Sequence, residues 1–457
     1  MRKIKQEFVC LQCQHVQAQW SGQCPSCNSW GQIEARDRDT HKKSTLLMQT
    51  DELLPLQPLA SGIDRQPTYI SEFDRCLGGG LVQGSVVLIS GPPGIGKSTL
   101  LTQLAGHLAA NEQVIAYVCG EESAEQVAGR VHRLQLPPTD HIRATTCTDV
   151  DKLVSIMKAA QPKPQFMIVD SMQTLFSTEL SGPPGSINQV RGCVHELVQW
   201  TKKHNVTLIL VGHVTKDNQL AGPRVVEHLV DVVLQFEGDG SHQFRILRAT
   251  KNRFGNTAEI GVFDMTIHGL KSVENPSAHL LSGRSNHIAG SVVFSSLEGT
   301  RPLLGEIQAL TTPTGYATPK RSAVGFDSHR LGMLLAVIEA RAGIDVSRHD
   351  VFVTVMGGLK VSDTSLDLAI VVAILSALHD IALPSDYMAI GELGLTGEVR
   401  AVRQLSERLE EARRLGYQRG IIPHSGLEFP SKEGYKQIAH VNAIYHLIEQ
   451  LMNAEGV

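Results

Sequence analysis

Eight consecutive residues, Gly91-Pro92-Pro93-Gly94-Ile95-Gly96-Lys97-Ser98, have the types and spacing to hold a polyphosphate. Glycines at these intervals let backbone N–H groups curl around phosphate oxygens. The lysine and hydroxyl residue that follow supply a cation and a metal ligand. The pattern predicts an ATP-binding loop over Gly91–Thr99, in which Lys97 reaches the β- and γ-phosphates, Ser98 ligates Mg2+ and Thr99 supports. Asp170 closes the apolar run "FMIVD" and is the expected acid behind that metal. An acid after a second apolar run, Glu121 or its neighbour Glu122 in "YVCGEES", would orient the attacking water. His213, in "VGHVTK" with Lys216, is expected at the γ-phosphate edge as a sensor.

A different chemistry is written into Cys10-x2-Cys13-x10-Cys24-x2-Cys27. Two CxxC knuckles supply four thiolates, a tetrahedral set that suits Zn2+. A module of this size has too little core to fold alone, so the metal would supply its folding energy. The other cysteines, Cys76, Cys119, Cys147 and Cys193, are scattered and are expected to be inert thiols. A third cluster is "ATKNRFGNT", where Lys251, Arg253 and Phe254 extend a basic strip begun by Arg245 and Arg248.

The phosphate loop needs a strand before it and a helix after it, and both are legible. Strand-like runs at 85–90, 114–120, 166–170, 206–212 and 229–238 alternate with helical segments near 97–110, 122–135 and 189–204. This alternation signals an α/β domain with a parallel sheet. Its ligands should gather at the C-terminal strand ends, where Asp170, Glu121 and His213 fall. A second texture follows, with strands in "SVVFSSL", "GEIQAL", 350–358 and 388–395 and helices at 329–343, 364–380 and 403–416. In the last helix Leu405, Leu409, Ala412 and Leu415 make one apolar stripe, with Arg and Glu on the other face. The expected organisation is a four-cysteine ribbon (1–31), a polar linker (32–60), an ATPase domain (61–275) and a second α/β domain (285–457, motif core 350–457).

With 457 residues and a net charge of -4, the chain can fill several cores but cannot bind DNA by bulk charge. Nucleic-acid contacts must come from local patches or from surfaces assembled in an oligomer. No run approaches the ~20 apolar residues that cross a bilayer, and the first residues lack the apolar stretch of an export signal, so a cytoplasmic protein is expected.

The stretch "EFDRCLGGGLVQGSVVLISGPPGIGKSTL" resembles the RecA-like ATPases. Together with the four cysteines, "CGEES", "GHVTKDNQLAGPRVVEHLVD" and "KNRFG", the chain resembles the bacterial RadA (Sms) DNA-repair family over nearly its whole length. The resemblance implies a RecA-like P-loop core between a zinc ribbon and a Lon-protease-like domain. It also implies a DNA-dependent ATPase, a hexameric ring that acts with RecA on single-stranded and branched DNA and promotes branch migration. "KNRFG" is a signature essential to that family's activity. At a subunit edge, Lys251 or Arg253 would touch the γ-phosphate of a neighbouring protomer. The alternative is a DNA contact in which Phe254 stacks on a base.

The C-terminal half resembles the proteolytic domain of the Lon family, a Ser-Lys peptidase, with Ser365 at the nucleophile's position. The partner lysine's position holds Ser406, with Arg403 and Arg408 the nearest cations. Arginine stays protonated and cannot activate a serine, so no peptidase activity is expected. The basic residues Arg400, Arg403, Arg408, Arg413 and Arg414 form either a DNA surface or an ordinary solvated face. Two alternatives stand beside the DNA motor. One is a regulatory RecA-like ATPase that drives protein assembly without DNA. The other is an ATP-dependent peptidase, which requires Ser365 to be activated.

Overall fold

The computed structural model describes residues 6–10, 16–17, 20–23, 25–27, 29–31, 33–37, 64–137, 140–213, 223–237, 244–257, 259–285, 287–316, 318–424, 434–444 and 446. The chain forms two compact units, Met1–Ala60 and Ser61–Val457. In the first, β1 (Gln6–Cys10) pairs antiparallel with β2 (Val16–Gln17) and with β3 (Ile33–Asp37). Residues 33–37 thus belong to the ribbon sheet rather than to a linker beginning at 32. The register sets Cys10 opposite Ile33. Cys13 and Cys24 lie outside the described residues, as does most of the expected linker.

The second unit opens with a short pair, β4 (Arg65–Gln66) and β5 (Leu81–Val82), which brackets α1 (Ser71–Leu77). The predicted alternation follows: β6 (Val86–Gly91), α2 (Lys97–Ala110), β7 (Ile115–Cys119), α3 (Ala124–Arg133), β8 (Ile142–Thr145), α4 (Val150–Ala159), β9 (Phe166–Asp170), α5 (Ile187–His204), β10 (Thr207–His213) and β11 (Val232–Glu237). Then β12 (Phe244–Asn252), β13 (Ile260–Thr266) and β14 (Gly269–Ser272) complete a nine-stranded sheet of order β14-β13-β12-β11-β6-β10-β9-β7-β8. The strands from β11 to β8 are parallel, and β12, β13 and β14 extend them antiparallel. The sheet is therefore mixed, not purely parallel as the sequence suggested. The connection from Glu237 to Phe244 is too short for a crossover helix, so β12 must turn back.

Every residue of β6 is buried, as expected of a central parallel strand covered on both faces. Val87 and Ile89 pack with Leu100, Leu101 and Leu104 of α2, while Val86 and Leu88 pack with Val190, Val194 and Leu197 of α5. The strand's two-residue period thus fills two separate cores. α3 starts with a reciprocal cap between Ser123 and Gln126.

After α6 (Pro276–Leu281) comes a hairpin of β15 (Ser291–Glu298) and β16 (Arg301–Pro313), then β17 (Arg321–Val324), α7 (Ser328–Val337), β18 (His349–Val355), α8 (Asp367–His379) and β19 (Tyr387–Ala389). A small pair, β20 (Glu392–Leu393) and β21 (Val399–Arg400), precedes α9 (Leu405–Arg414), β22 (Arg419–Pro423) and β23 (Tyr435–Ile438). The second sheet runs β17-β18-β16-β15-β19-β22-β23. α8 packs against one of its faces beside Val292 and Ile307, and α9 against the other beside Val293 and Leu304. The helix expected over 329–343 divides into α7 and a π turn, Ile338–Ala342.

Candidate nucleotide site and its distant cations

β6 delivers the chain into the loop at Gly91, and α2 takes it up at Lys97. Gly94 sits at φ 75° with nothing near its missing Cβ, so it is a glycine for backbone reasons alone. Gly96, at φ 117°, has a second reason: a Cβ there would come within 2.8 Å of Met265 Cε, because the β13–β14 hairpin leans on the loop. Ile95 is buried and anchors the loop, while Pro92, Pro93 and Gly94 are exposed and Ser98 and Thr99 half-buried.

Lys97 is only 3% exposed, and its Nζ donates to the carbonyls of Gly91 and Pro92, each at 2.9 Å. Burial lowers its pKa to about 8, against the attraction of Asp170 and Glu121. Parallel pairing aligns the remaining groups. Gly91 stands beside His213 at the ends of β6 and β10, and Asp170 beside Cys119 at the ends of β9 and β7. Asp170 is buried and hydrogen-bonds Ser98, and Tyr117 Oη donates to its Oδ2 at 3.2 Å. Burial raises its pKa, against the Ser98 hydrogen bond. Glu121 accepts from Ser171 Oγ, and its Oε1 lies 3.2 Å from His213 Nε2. Burial, then Lys97, lowers the His213 pKa and favours a neutral imidazole. Glu122 turns away into an ion pair with Arg130.

The structure therefore brings Lys97, Ser98, Glu121, Asp170 and His213 to one edge of the sheet. Lys216 lies outside the described residues. Tyr117 and Ser171 were missed. Ser171 directly follows the strand-end acid, but nothing in the sequence signals that Tyr117 reaches it.

Lys251 and Arg253 are elsewhere. Asn252, between them, pairs with Val232, which pairs with Val87 at the start of β6. The phosphate loop begins four residues further on, roughly 13 Å along the strand. Lys251 Nζ donates to the carbonyls of Glu227 (2.7 Å) and Val230 (2.8 Å). Arg253 Nη1 pairs with Asp231 Oδ1 at 2.9 Å, and half of its side chain is exposed. Asp231 is buried, accepts from Val86 N at 3.1 Å and also pairs with Lys202. A buried aspartate within "LVDVVLQF" was the available signal, because such a group needs partners. Asn252 Nδ2 donates to the carbonyls of Cys76 and Leu77, and Phe254 packs against the core under α2. The expected basic strip is broken, since Arg248 is bound by Glu237 and Glu298, each at 2.8 Å.

The second correction concerns Arg408, expected on a charged surface but only 1% exposed. Its Nη1 donates to Ser365 Oγ at 2.8 Å and to Ser295 O. Its Nη2 donates to Asp363 Oδ2 at 2.6 Å and its Nε to Arg403 O at 2.9 Å. Ser365 is fully buried and donates to Ser295 O at 2.9 Å. An arginine one turn along α9 tolerates burial here because each of its nitrogens finds an acceptor.

In the first unit, Cys10 ends β1, and Cys27 is exposed with its Sγ 3.1 Å from Ser29 Oγ. The described residues alone contain no three-residue cluster able to hold a metal. The other two cysteines of the expected set, Cys13 and Cys24, lie outside the described residues; four thiolates in two knuckles are the chemistry that suits a tetrahedral metal.

Fold and site together define a RecA-like P-loop ATPase joined to a second α/β domain. A family model described as an AAA domain matches residues 53–219, one described as subunit ChlI of Mg-chelatase matches 321–426, and one described as a rubredoxin metal-binding domain matches 8–35. The chain is 41% identical to the DNA repair protein RadA of Rickettsia felis, covering 98% of this chain and 100% of the relative. It is 42% identical to that of Bacillus subtilis (94% of each chain) and 43% identical to that of Pseudomonas aeruginosa (96% and 97%). The chain belongs to the RadA family. Among solved structures, a KaiC-like protein from Pyrococcus horikoshii matches at TM-score 0.38 and 19% identity, covering 46% of this chain and 99% of that one. An ATPase domain solved by itself matches at TM-score 0.40 and 15% identity, covering 47% and 93%. No described helix is long and apolar enough to cross a membrane.

Proposed function

We propose that this protein is a DNA-dependent ATPase of recombinational repair that works as a ring, each nucleotide being completed by Lys251 or Arg253 of the next protomer. The carrying observation is distance: those cations sit at the opposite end of β6 from their own phosphate loop. Within one chain they cannot reach the γ-phosphate, whereas Arg253 is half-exposed and so open to the nucleotide of a neighbouring protomer. Arg253 is held by one carboxylate that it can release, and a trans cation stabilises charge in phosphoryl transfer. The rival DNA contact is less favoured, because Phe254 is packed rather than open for stacking and Arg248 is already neutralised.

The reaction is attack of water on the γ-phosphate. Lys97 exchanges its two loop carbonyls for phosphate oxygens. Glu121, steadied by Ser171, orients the water, while Glu122 is kept from that role by its own ion pair with Arg130. Ser98 and Asp170 would hold Mg2+, which supplies charge neutralisation across the phosphates. His213 senses the γ-phosphate edge from beside Glu121. Zn2+ in Cys10, Cys13, Cys24 and Cys27 would fix the ribbon fold. We assign the chain as ribbon, linker, ATPase domain (61–275) and Lon-like domain (285–457), in a cytoplasmic hexamer. Family membership supports single-stranded or branched DNA as substrate and RecA as partner, with branch migration as the outcome.

The test is the ATP hydrolysis rate with and without single-stranded DNA for wild type, Lys251→Ala and Arg253→Ala. DNA should stimulate the wild type, and Arg253→Ala should keep DNA binding while losing about 10²-fold or more in hydrolysis. An unchanged rate on adding DNA would favour a regulatory ATPase that drives protein assembly.

A further inference from the structure

The tip of the β15–β16 hairpin belongs to the second sheet but bonds to the first. Its turn is two residues long, Gly299 and Thr300, with Glu298 opposite Arg301. Gly299 takes φ 66°, the left-handed conformation such tight turns need. Three side chains on this tip engage the ATPase sheet and α1. Arg301 Nη1 pairs with Glu72 Oε2 at 2.6 Å, with side chains only 10% and 2% exposed. Thr300 Oγ1 donates to Glu259 Oε1 at 2.7 Å, and Glu298 Oε2 accepts from Arg248 at 2.8 Å.

Both charged contacts lead to the Lys251–Arg253 segment. Arg248 is on β12, three residues before Lys251. Glu72 is on α1, whose final carbonyls, those of Cys76 and Leu77, accept from Asn252 Nδ2 at 3.4 and 3.2 Å. Asn252 Oδ1 in turn accepts from Phe254 N at 2.9 Å, and Arg65 bridges Leu77 O (3.0 Å) to Phe254 O. The root of the hairpin is equally fixed. Asp363 accepts from Leu297 N at 2.9 Å, and Ser295 O is held by Arg408 and Ser365.

We propose that the hairpin of the Lon-like domain sets the position of Lys251 and Arg253 for the neighbouring protomer's nucleotide, with Arg301 and Glu72 as its main positioning residues. This rests on the trans reading above. The buried cluster at Ser365, where a peptidase would carry its nucleophile, then anchors a lever that reaches the ATPase edge. Glu72 is nearly inaccessible, so losing Arg301 removes its closest counter-charge, leaves the carboxylate with only Val262 N at 2.8 Å and Arg75 at 3.7 Å, and lets α1 shift beneath Asn252. Arg301 touches none of the protomer's own phosphate-loop residues.

The full-length protein is assayed with single-stranded DNA. Arg301→Ala should lower kcat about tenfold while leaving the KM for ATP within about twofold, because its own nucleotide pocket is intact. Thr300→Val, which removes only the Glu259 hydrogen bond, should lower kcat about twofold with an unchanged melting temperature, so a reading remains if Arg301→Ala does not fold. Mixed assemblies separate the levels. Arg301→Ala keeps a sound phosphate loop, and Lys97→Ala keeps a well-placed Lys251–Arg253 segment, so an equimolar mixture should recover hydrolysis at roughly a quarter of its interfaces. Arg253→Ala mixed with Lys97→Ala is the control for the trans reading. Recovery in the control but not with Arg301→Ala overturns the positioning role alone. No recovery in either mixture overturns the trans reading and the positioning role with it. A wild-type kcat for both hairpin variants also overturns the positioning role.

Discussion

Two buried cations invite comparison, Lys97 under the phosphate loop and Arg408 under Ser365. Both are almost wholly enclosed, at 3% and 1% exposure, and both bond to backbone carbonyls. They differ in whether they can let go. Lys97 is a point charge on a flexible stem, and its two acceptors belong to a loop whose crown is open to solvent. Arg408 is a planar fork with acceptors on four residues, two of them, Ser295 and Ser365, fully buried. A site that must exchange partners keeps its cation provisionally bonded. A site that must hold three segments together satisfies every nitrogen at once.

The strongest way to break the comparison is to delete each cation. Lys97→Ala should reduce ATP hydrolysis by about 10²-fold or more while the melting temperature barely moves. Arg408→Ala takes the counter-charge from the largely enclosed Asp363 and a donor from the buried Ser365, and should cost about 3 kcal/mol of stability, read from the urea midpoint. If both variants lost only activity, Arg408 would not be a structural clamp.

Protonation gives a gentler probe. With its pKa lowered to about 8, Lys97 is charged below that value in the free protein and progressively neutral above it. Bound phosphate favours the charged form and raises the pKa, so nucleotide binding takes up a proton at higher pH. Affinity should therefore be flat below pH 8 and then fall by at most about tenfold per pH unit as pH rises into the window between the free and bound values. Binding of a non-hydrolysable ATP analogue at pH 7 and pH 9 measures this. Lys97→Arg should be flat across the same range, because arginine stays protonated.

How far the sequence could be read follows the same divide. Local signals sufficed where chain neighbours do the work. The loop from Gly91 to Ser98 and the helix from Lys97 to Ala110 were legible as a run of residues, and the parallel strand ends then brought Asp170, Glu121 and His213 together. Long-range bonds were not legible. Glu72 and Arg301 are 229 positions apart, and no periodicity joins them. Arg408 looked solvated because its neighbours on α9 are charged, and only the packed helix shows that it faces inward beside Leu405, Leu409 and Ala412. The antiparallel return of β12 was hidden because the strand-like run before Ala249 carries no signal of its direction, and its Arg245, Arg248 and Lys251 read together as a basic strip.

The smallest effect sharpens the contrast most. Ser365→Ala removes one hydroxyl from the Arg408 fork but leaves Asp363, Ser295 O and Arg403 O in place. The loss should be about 1 kcal/mol in stability, with ATP hydrolysis within about twofold of wild type. Casein should remain uncut by both proteins. Ser365 is fully buried, donates its proton to Ser295 O and accepts from a guanidinium that cannot take that proton. Casein cleavage that vanished with Ser365→Ala would require the pocket to open and a base to enter it. That would give the second domain a partner-exchanging site of its own, and the two cations would then differ in degree rather than in kind.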